Sequence, residues 1–109
     1  MSTAPEGPTL GGVGANNRRT RRFREMQAAL PAAVQRIVEA AYRKFLENPN
    51  HQSLHRKELH DTHRGQHRRG SWSVRVTLKY RAIYVLDGDT NVWYWIGSHS
   101  DYNIFTGEN

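Results

Sequence analysis

Cysteine is absent from this 109-residue chain. That excludes a disulfide framework and thiolate zinc or redox sites, and it fits a reducing compartment. Long apolar runs are missing as well. None approaches the roughly 18 to 20 residues of a membrane span, and the first residues lack the apolar stretch of a secretory signal. The expectation is a soluble, cytoplasmic protein. Acidic residues are few, ten Asp and Glu against sixteen Lys and Arg, for a net charge of +6. The imbalance is local: residues 1–70 carry thirteen basic and six acidic side chains, whereas residues 71–109 carry three and four. A basic half of this kind suits a polyanion, whose phosphates it neutralises with release of counterions, or else it solvates a helical face. Charge alone does not separate RNA, DNA and acidic protein as partners.

The length supports one core, so a site must lie on the surface of a single domain. Large apolar side chains are nearly missing from residues 1–17, and Gly11 to Asn17 contains five Gly or Asn. This stretch is expected to be a disordered tail ahead of a domain at 18–109. From Thr20 the pattern changes. Phe23, Met26, Leu30, Val34, Ile37, Ala41 and Phe45 recur every three or four residues, one apolar helical stripe. Thr20 is a candidate N-cap. Pro31 disfavours helical geometry at Leu30, so the stripe reads as one helix to about Ala29 and another from Pro31 to Leu46, a helical hairpin or sharp kink ended by Asn48 and Pro49.

Residues 51–70 are polar, with five histidines and five Lys or Arg, and read as a basic loop or flap with at most one helical turn. The period then becomes two. Trp72, Val74, Val76 and Leu78 alternate with Ser71, Ser73, Arg75 and Thr77, which makes a strand with one apolar face. Further strands follow at Arg81–Leu86 and Val92–Ile96, separated by the turn signal Asp87-Gly88-Asp89. The predicted fold class is α+β, a helical hairpin packed on a small antiparallel β-meander. The stretch before the first helix is a poor strand by propensity, so a first strand is expected to be missing or irregular.

A helical pair ending in "ENP", a polar basic linker, then "WSVRV", "YRAIY" and "VWYWIGSHSDYNIF" resembles the RelE/ParE toxin superfamily, over about Thr20 to Phe105. The resemblance implies a type II toxin–antitoxin mRNA interferase of the RelE/YafQ-like kind, an endoribonuclease that cleaves mRNA, on the ribosome in some members, with a cognate antitoxin as partner. ParE-type relatives instead inhibit DNA gyrase without cleaving anything, and this is the alternative. Carried over by position, Arg81 of "YRAIY" matches the arginine used on the scissile phosphate, and Arg75 lies near the basic strand residues beside it. His99 after "GS" falls where some members have a catalytic histidine, and Tyr102 or Phe105 where several place a C-terminal aromatic. His60, His63 and His67 fall in the linker where the YafQ type has another functional histidine.

RNA cleavage without a metal needs the ribose 2′-OH deprotonated, the phosphorane charge stabilised and the leaving oxygen protonated. Histidine titrates nearest neutrality and arginine is a permanent fork for phosphate oxygens, so His99 with Arg75 and Arg81 is the candidate set, joined by Tyr102 and Asp101. Each has a plainer reading. His99 can be a surface loop residue, and Arg81 shares its strand parity with Ile83 and Val85, an apolar set. Arg75 can be a salt-bridge partner, Asp101 a helix cap, and Tyr102 a packing residue. Trp93 and Trp95, two apart in one strand, share a face by simple alternation and can be core or a base-stacking platform.

In the flap, Arg56, Lys57, Arg64, Arg68 and Arg69 with His60, His63 and His67 are the candidate RNA-binding residues. The histidine spacings of three and four also suit metal ligands on a helix. The missing cysteines, Gly65 and Gly70 and the interleaved arginines argue against that, and neither metal nor other cofactor is expected.

Overall fold

The computed structural model describes residues 11–108, so the first ten residues of the expected tail lie outside it. The elements in chain order are β1 (Asn16–Arg19), α1 (Arg21–Ala28), α2 (Ala32–Glu47), β2 (Lys57–Glu58), β3 (Ser71–Thr77), β4 (Tyr80–Asp87), β5 (Thr90–Ser98) and α3 (His99–Thr106). The strands form one sheet in the order β1-β5-β4-β3-β2. β1 runs parallel to β5, and the other pairs are antiparallel. The α+β class and the helical pair on a meander are therefore present, with a further strand at each edge and a third helix.

The caps fall where the sequence places them, within a residue. The Thr20 hydroxyl accepts from the Phe23 amide at 3.0 Å. Pro31 sits at the N-cap of α2, which begins at Ala32, one residue later than expected. Its break leaves carbonyls at the end of α1 without helical partners, and the Gln35 side chain donates to two of them, Ala28 and Leu30. Asn48, forced from helical geometry by Pro49, ends α2 in an extended conformation.

The first strand is the main correction to the sequence reading. Part of the expected tail, from Gly12 to Asn17, is built into the sheet edge by polar side chains that propensity does not count. Asn91 is 0% exposed; its amide accepts from the Gly14 N–H at 2.8 Å and donates to the Gly14 carbonyl and to Asn17 Oδ1. The Trp93 indole donates to the same Asn17 oxygen at 3.1 Å. The glycines serve close approach: a Cβ at Gly12 would run into the Trp72 indole, and one at Gly14 into the Asp89 carbonyl.

The sheet is covered on both faces. On one, α1 and α2 pack Phe23, Val38 and Phe45 against Val74, Ala82, Tyr84, Trp93 and Ile96. On the other, Leu59 of the flap and Tyr102 of α3 close over Ile83 and Trp95. Trp93 and Trp95 thus do not share a face. Between Ile83 and Tyr84 the register of β4 on β5 shifts, so that Tyr84 pairs with Trp93 and Ile83 with Trp95. The extra residue, Tyr94, reverses the alternation. Leu78 also leaves its expected face, since it lies in the β3–β4 turn and is 75% exposed.

Replacing Asn91 by alanine strands the Gly14 amide and carbonyl beside a void. Leaving buried polar groups unpaired costs about 1–3 kcal/mol each, so Asn91→Ala is expected to lower unfolding free energy by about 2–4 kcal/mol. Denaturant melts of the two proteins check this, and a loss below about 1 kcal/mol would mean that β1 is not held by this network.

Candidate active site

Pairing of β3 with β4 sets Arg75 directly opposite Arg81. By strand alternation both share the face of Ser71, Ser73 and Ile83, away from the α1–α2 core. Sharing parity with Ile83 does not bury Arg81 in an apolar core, because this face is closed only in its middle. Arg81 Nη1 donates to the Thr77 and Tyr80 carbonyls at 2.7 and 3.1 Å and so fastens the turn. Partial burial, and then the neighbouring Arg75 charge, lowers its pKa from the ordinary arginine value, with Tyr102 acting in the opposite sense. Arg75 Nε is buried without a partner among the described residues. Among the described residues neither arginine forms an ion pair, so Arg75 is not the structural salt bridge that was one of its readings. Two like charges opposite each other on a sheet repel, and an anion bridging them would relieve both.

Tyr102 reaches this site from α3. Its ring is buried, and its hydroxyl has no hydrogen-bond partner among the described residues. Burial raises the phenol pKa above its ordinary value. The nearby Ser73 hydroxyl lowers it, the Glu108 carboxylate raises it and Arg81 lowers it. The phenol therefore stays protonated as a donor. Ser73 and Glu108 were not singled out from sequence. Ser73 carried a signal, its alternation with Arg75, while Glu108 carried none.

His99 is the first residue of α3, its amide bonded to the Lys79 carbonyl at 2.7 Å. The side chain is exposed, lies nearly parallel to the Tyr102 ring at 6.2 Å between centroids, and lines an open groove of about 410 Å³ with Lys79, Tyr80, Ser98 and Ser100. Arg75, Arg81, Tyr102 and His99 are thus brought to one end of the sheet face. Asp101 is not. Ser98 is the N-cap of α3, accepting from the Asp101 amide at 3.1 Å, and the Asp101 carboxylate faces a different groove beside Gly97 and Phe105.

The flap divides. Arg56 lies over the Trp72 ring at 4.6 Å and donates to the Gly11 carbonyl and Asn50, a structural clasp on the helical side. Lys57 lies opposite Ser73 and pairs loosely with Glu108 at 3.9 Å. Arg69 pairs with Asp61, and the Arg68 guanidinium sits 5.6 Å over the Tyr94 ring. Arg64 and the histidines at 60 and 63 are exposed; the His67 Nε2 meets the His60 carbonyl at 2.9 Å. The segment is no free loop, for the Gln66 amide donates to the Phe105 carbonyl and the Thr62 hydroxyl to the Thr106 carbonyl. Among the described residues no three His, Asp or Glu side chains converge into a metal-holding group, and no helix is long and apolar enough to cross a membrane.

Residues 33–104, about two thirds of the chain, match the sequence family of the ParE-like toxin domain. The chain belongs to the ParE-like toxin family. That places it within the RelE/ParE superfamily, as the sequence motifs suggested. The toxin from the RelBE2 toxin–antitoxin complex of Mycobacterium tuberculosis superposes with a TM-score of 0.53 at 23% identity, covering 80% of this toxin and 100% of that chain. A copper-bound point mutant of a Helicobacter pylori toxin superposes with a TM-score of 0.51 at 14% identity, over 79% and 96%. These likenesses establish the fold. No curated protein matches the toxin in sequence.

Tyr42, Tyr84 and Tyr102 all have phenol pKa values raised, in each case chiefly by burial. For a raised pKa the stabilising contribution is complete below the unfolded value near 10 and is lost as pH rises through the folded value. The toxin is expected to lose stability above about pH 10, less steeply in Tyr102→Phe. Tyrosinate absorbance during alkaline titration, read beside melts, checks this. Five tyrosines ionising together, with no late group, would contradict it.

Proposed function

We propose that this toxin is an endoribonuclease that cleaves messenger RNA without a metal, by attack of a ribose 2′-OH on the adjacent phosphorus. The observation that carries the reading is the Arg75–Arg81 pair, two facing cations with no protein counterion among the described residues, beside a protonated Tyr102 hydroxyl that lacks a partner. Such a site is preorganised for the charge that develops on a phosphorane. The arginines hold the non-bridging oxygens and Tyr102 donates a hydrogen bond to one of them. His99, at the rim, exchanges a proton with the reacting oxygens. The O2′–P bond forms, the P–O5′ bond breaks, and the products end in a 2′,3′-cyclic phosphate and a 5′-hydroxyl. DNA, lacking the 2′-OH, is not a substrate. The expected substrate is messenger in the ribosome, and the basic flap, through Arg64, Arg68 and the exposed histidines, adds contacts to RNA.

The RelBE2 complex pairs its toxin with an antitoxin. We infer a cognate antitoxin for this toxin too, and the exposed Ile37 and Leu46 of α2 offer it apolar area.

His99→Ala should abolish cleavage and toxicity while leaving the fold intact. The side chain is exposed, so its stability cost is about 0.5 kcal/mol or less, whereas loss of a general acid or base costs about 10² to 10⁴ in rate. His99→Gln should be nearly as inactive. Arg81→Lys should also be impaired, because a point charge does not reproduce the fork. Single-turnover cleavage of a labelled messenger, with primer extension after induction in cells, reads these outcomes. Wild-type rates in folded His99→Ala would remove His99 from the mechanism. Intact messenger with gyrase trapped on broken DNA would favour the non-enzymatic alternative.

A further inference from the structure

The last four carbonyls of a helix have no partners within it. In α3 these belong to Asn103, Ile104, Phe105 and Thr106, and their partners come from two places. The turn that follows the helix serves the first two: the Gly107 amide donates to the Ile104 carbonyl at 3.2 Å and the Glu108 amide to that of Asn103 at 2.9 Å. The flap serves the other two. The Gln66 amide donates to the Phe105 carbonyl at 2.7 Å, and the Thr62 hydroxyl to that of Thr106 at 3.1 Å. The flap lies directly on the helix end, since a Cβ on Gly107 would stand 2.9 Å from the Arg64 carbonyl carbon. Lys57, ahead of this loop, adds its loose pairing with Glu108.

The loop that makes these ties is closed on itself. His67 Nε2 meets the His60 carbonyl at 2.9 Å, and because a carbonyl only accepts, the imidazole is the donor. The Gly65 amide donates to the Thr62 carbonyl at 3.4 Å, and a Cβ on Gly65 would stand 2.7 Å from His67 Cε1. Of the three flap histidines, His67 therefore belongs to the frame of the loop, whereas the side chains of His60 and His63 are exposed. Leu59 anchors the start of the loop. Its amide donates to the Ser71 carbonyl, and its side chain is buried in one cluster with Ile83, Trp95 and Tyr102.

A helix of eight residues does not hold its shape by itself. Yet α3 carries Tyr102 and His99, two of the four groups gathered at the candidate active site. The path from loop to site is short. Thr62 holds the Thr106 carbonyl, and the Thr106 hydroxyl, in a residue that is 0% exposed, donates to the Tyr102 carbonyl at 2.8 Å. From this arrangement we infer that residues 60–67 are a strap that positions Tyr102 in the arginine site by holding the C-terminal turn of α3, with Thr62 and His67 as its positioning residues. The effect on cleavage rests on the nuclease reading; the hold on the helix does not. Thr62 acts through its bond to the helix and His67 through closure of the loop, so neither needs to touch RNA.

The test compares the full wild-type chain with two pairs of variants. Thr62→Val removes the donor and keeps the branched shape, whereas Thr62→Ser keeps the donor. His67→Leu removes the ring donor, whereas His67→Gln keeps an N–H at similar reach. Amide hydrogen exchange over α3 is expected to be about twofold to tenfold faster in Thr62→Val and His67→Leu, the range for one lost hydrogen bond, with β3 to β5 unchanged. In single-turnover cleavage of a labelled messenger the same two variants should lose about threefold to tenfold in rate at saturating RNA, because a misplaced group slows the chemical step, while half-saturation stays at the wild-type value. Thr62→Ser and His67→Gln should match wild type in both measurements. Unchanged exchange over α3 in Thr62→Val and His67→Leu would overturn the inference. So would a loss seen in half-saturation alone, for the loop would then act by touching RNA. A His67→Gln with wild-type exchange that cuts as slowly as His67→Leu would also overturn it, because the ring would then be moving a proton. Faster exchange that the conservative variants rescue, in a wild type that leaves RNA uncut, would sink the nuclease reading while supporting the strap.

Discussion

One additional residue in β5 organises both faces of the sheet. If β5 alternated without interruption, Trp93 and Trp95 would both lie under α1 and α2, crowding a core that already holds Phe23, Phe45 and Tyr84. The far face would then have little for α3 to pack on. The bulge at Tyr94 sends one tryptophan to each side. Trp93 becomes the hub of edge-to-face contacts with Phe23, Tyr42 and Phe45. Trp95 becomes the floor on which Phe105 stacks and beside which Tyr102 packs. Fixing α3 fixes Tyr102, and the N-terminus of that helix fixes His99. The placement of the polar site thus follows from a local irregularity in an apolar strand.

The face opposite the helices is stable in its middle and strained at its end. Ile83, Trp95, Leu59 and Tyr102 bury apolar area there. A few residues along the same strands, Arg75 and Arg81 face each other without a counterion among the described residues, one with a buried nitrogen that is unpaired among them. A packing optimum would not place two guanidiniums together. Sites that bind charge commonly carry such uncompensated groups, and the stability they cost is offset elsewhere in the fold.

Much of this was legible in the residues. The helical stripe from Phe23 to Phe45, the breaks at Pro31 and Pro49 and the three meander strands follow from periodicity and breaker chemistry, and the structure moves their ends by only a residue or two. The motif match offers Arg81, Arg75, Tyr102 and His99 as candidates, and strand pairing sets the first two opposite each other. What escaped was non-local. β1 is a poor strand by composition, and what holds it is Asn91, more than seventy residues away. A bulge leaves no signature in an aromatic run such as Val92 to Ile96. The flap reads as solvated because its composition is polar, yet its backbone is tied to α3 through Gln66 and Thr62.

The parallel pairing of β1 with β5 bears on how such a protein is made. The edge strand is synthesised early, but its partner β5 lies more than seventy residues further along the chain, so β1 has nothing to pair with until those residues have emerged. Contacts so distant in sequence slow folding, and here they make completion of the sheet wait for β5. The β1 edge therefore closes only once β5 is itself in place.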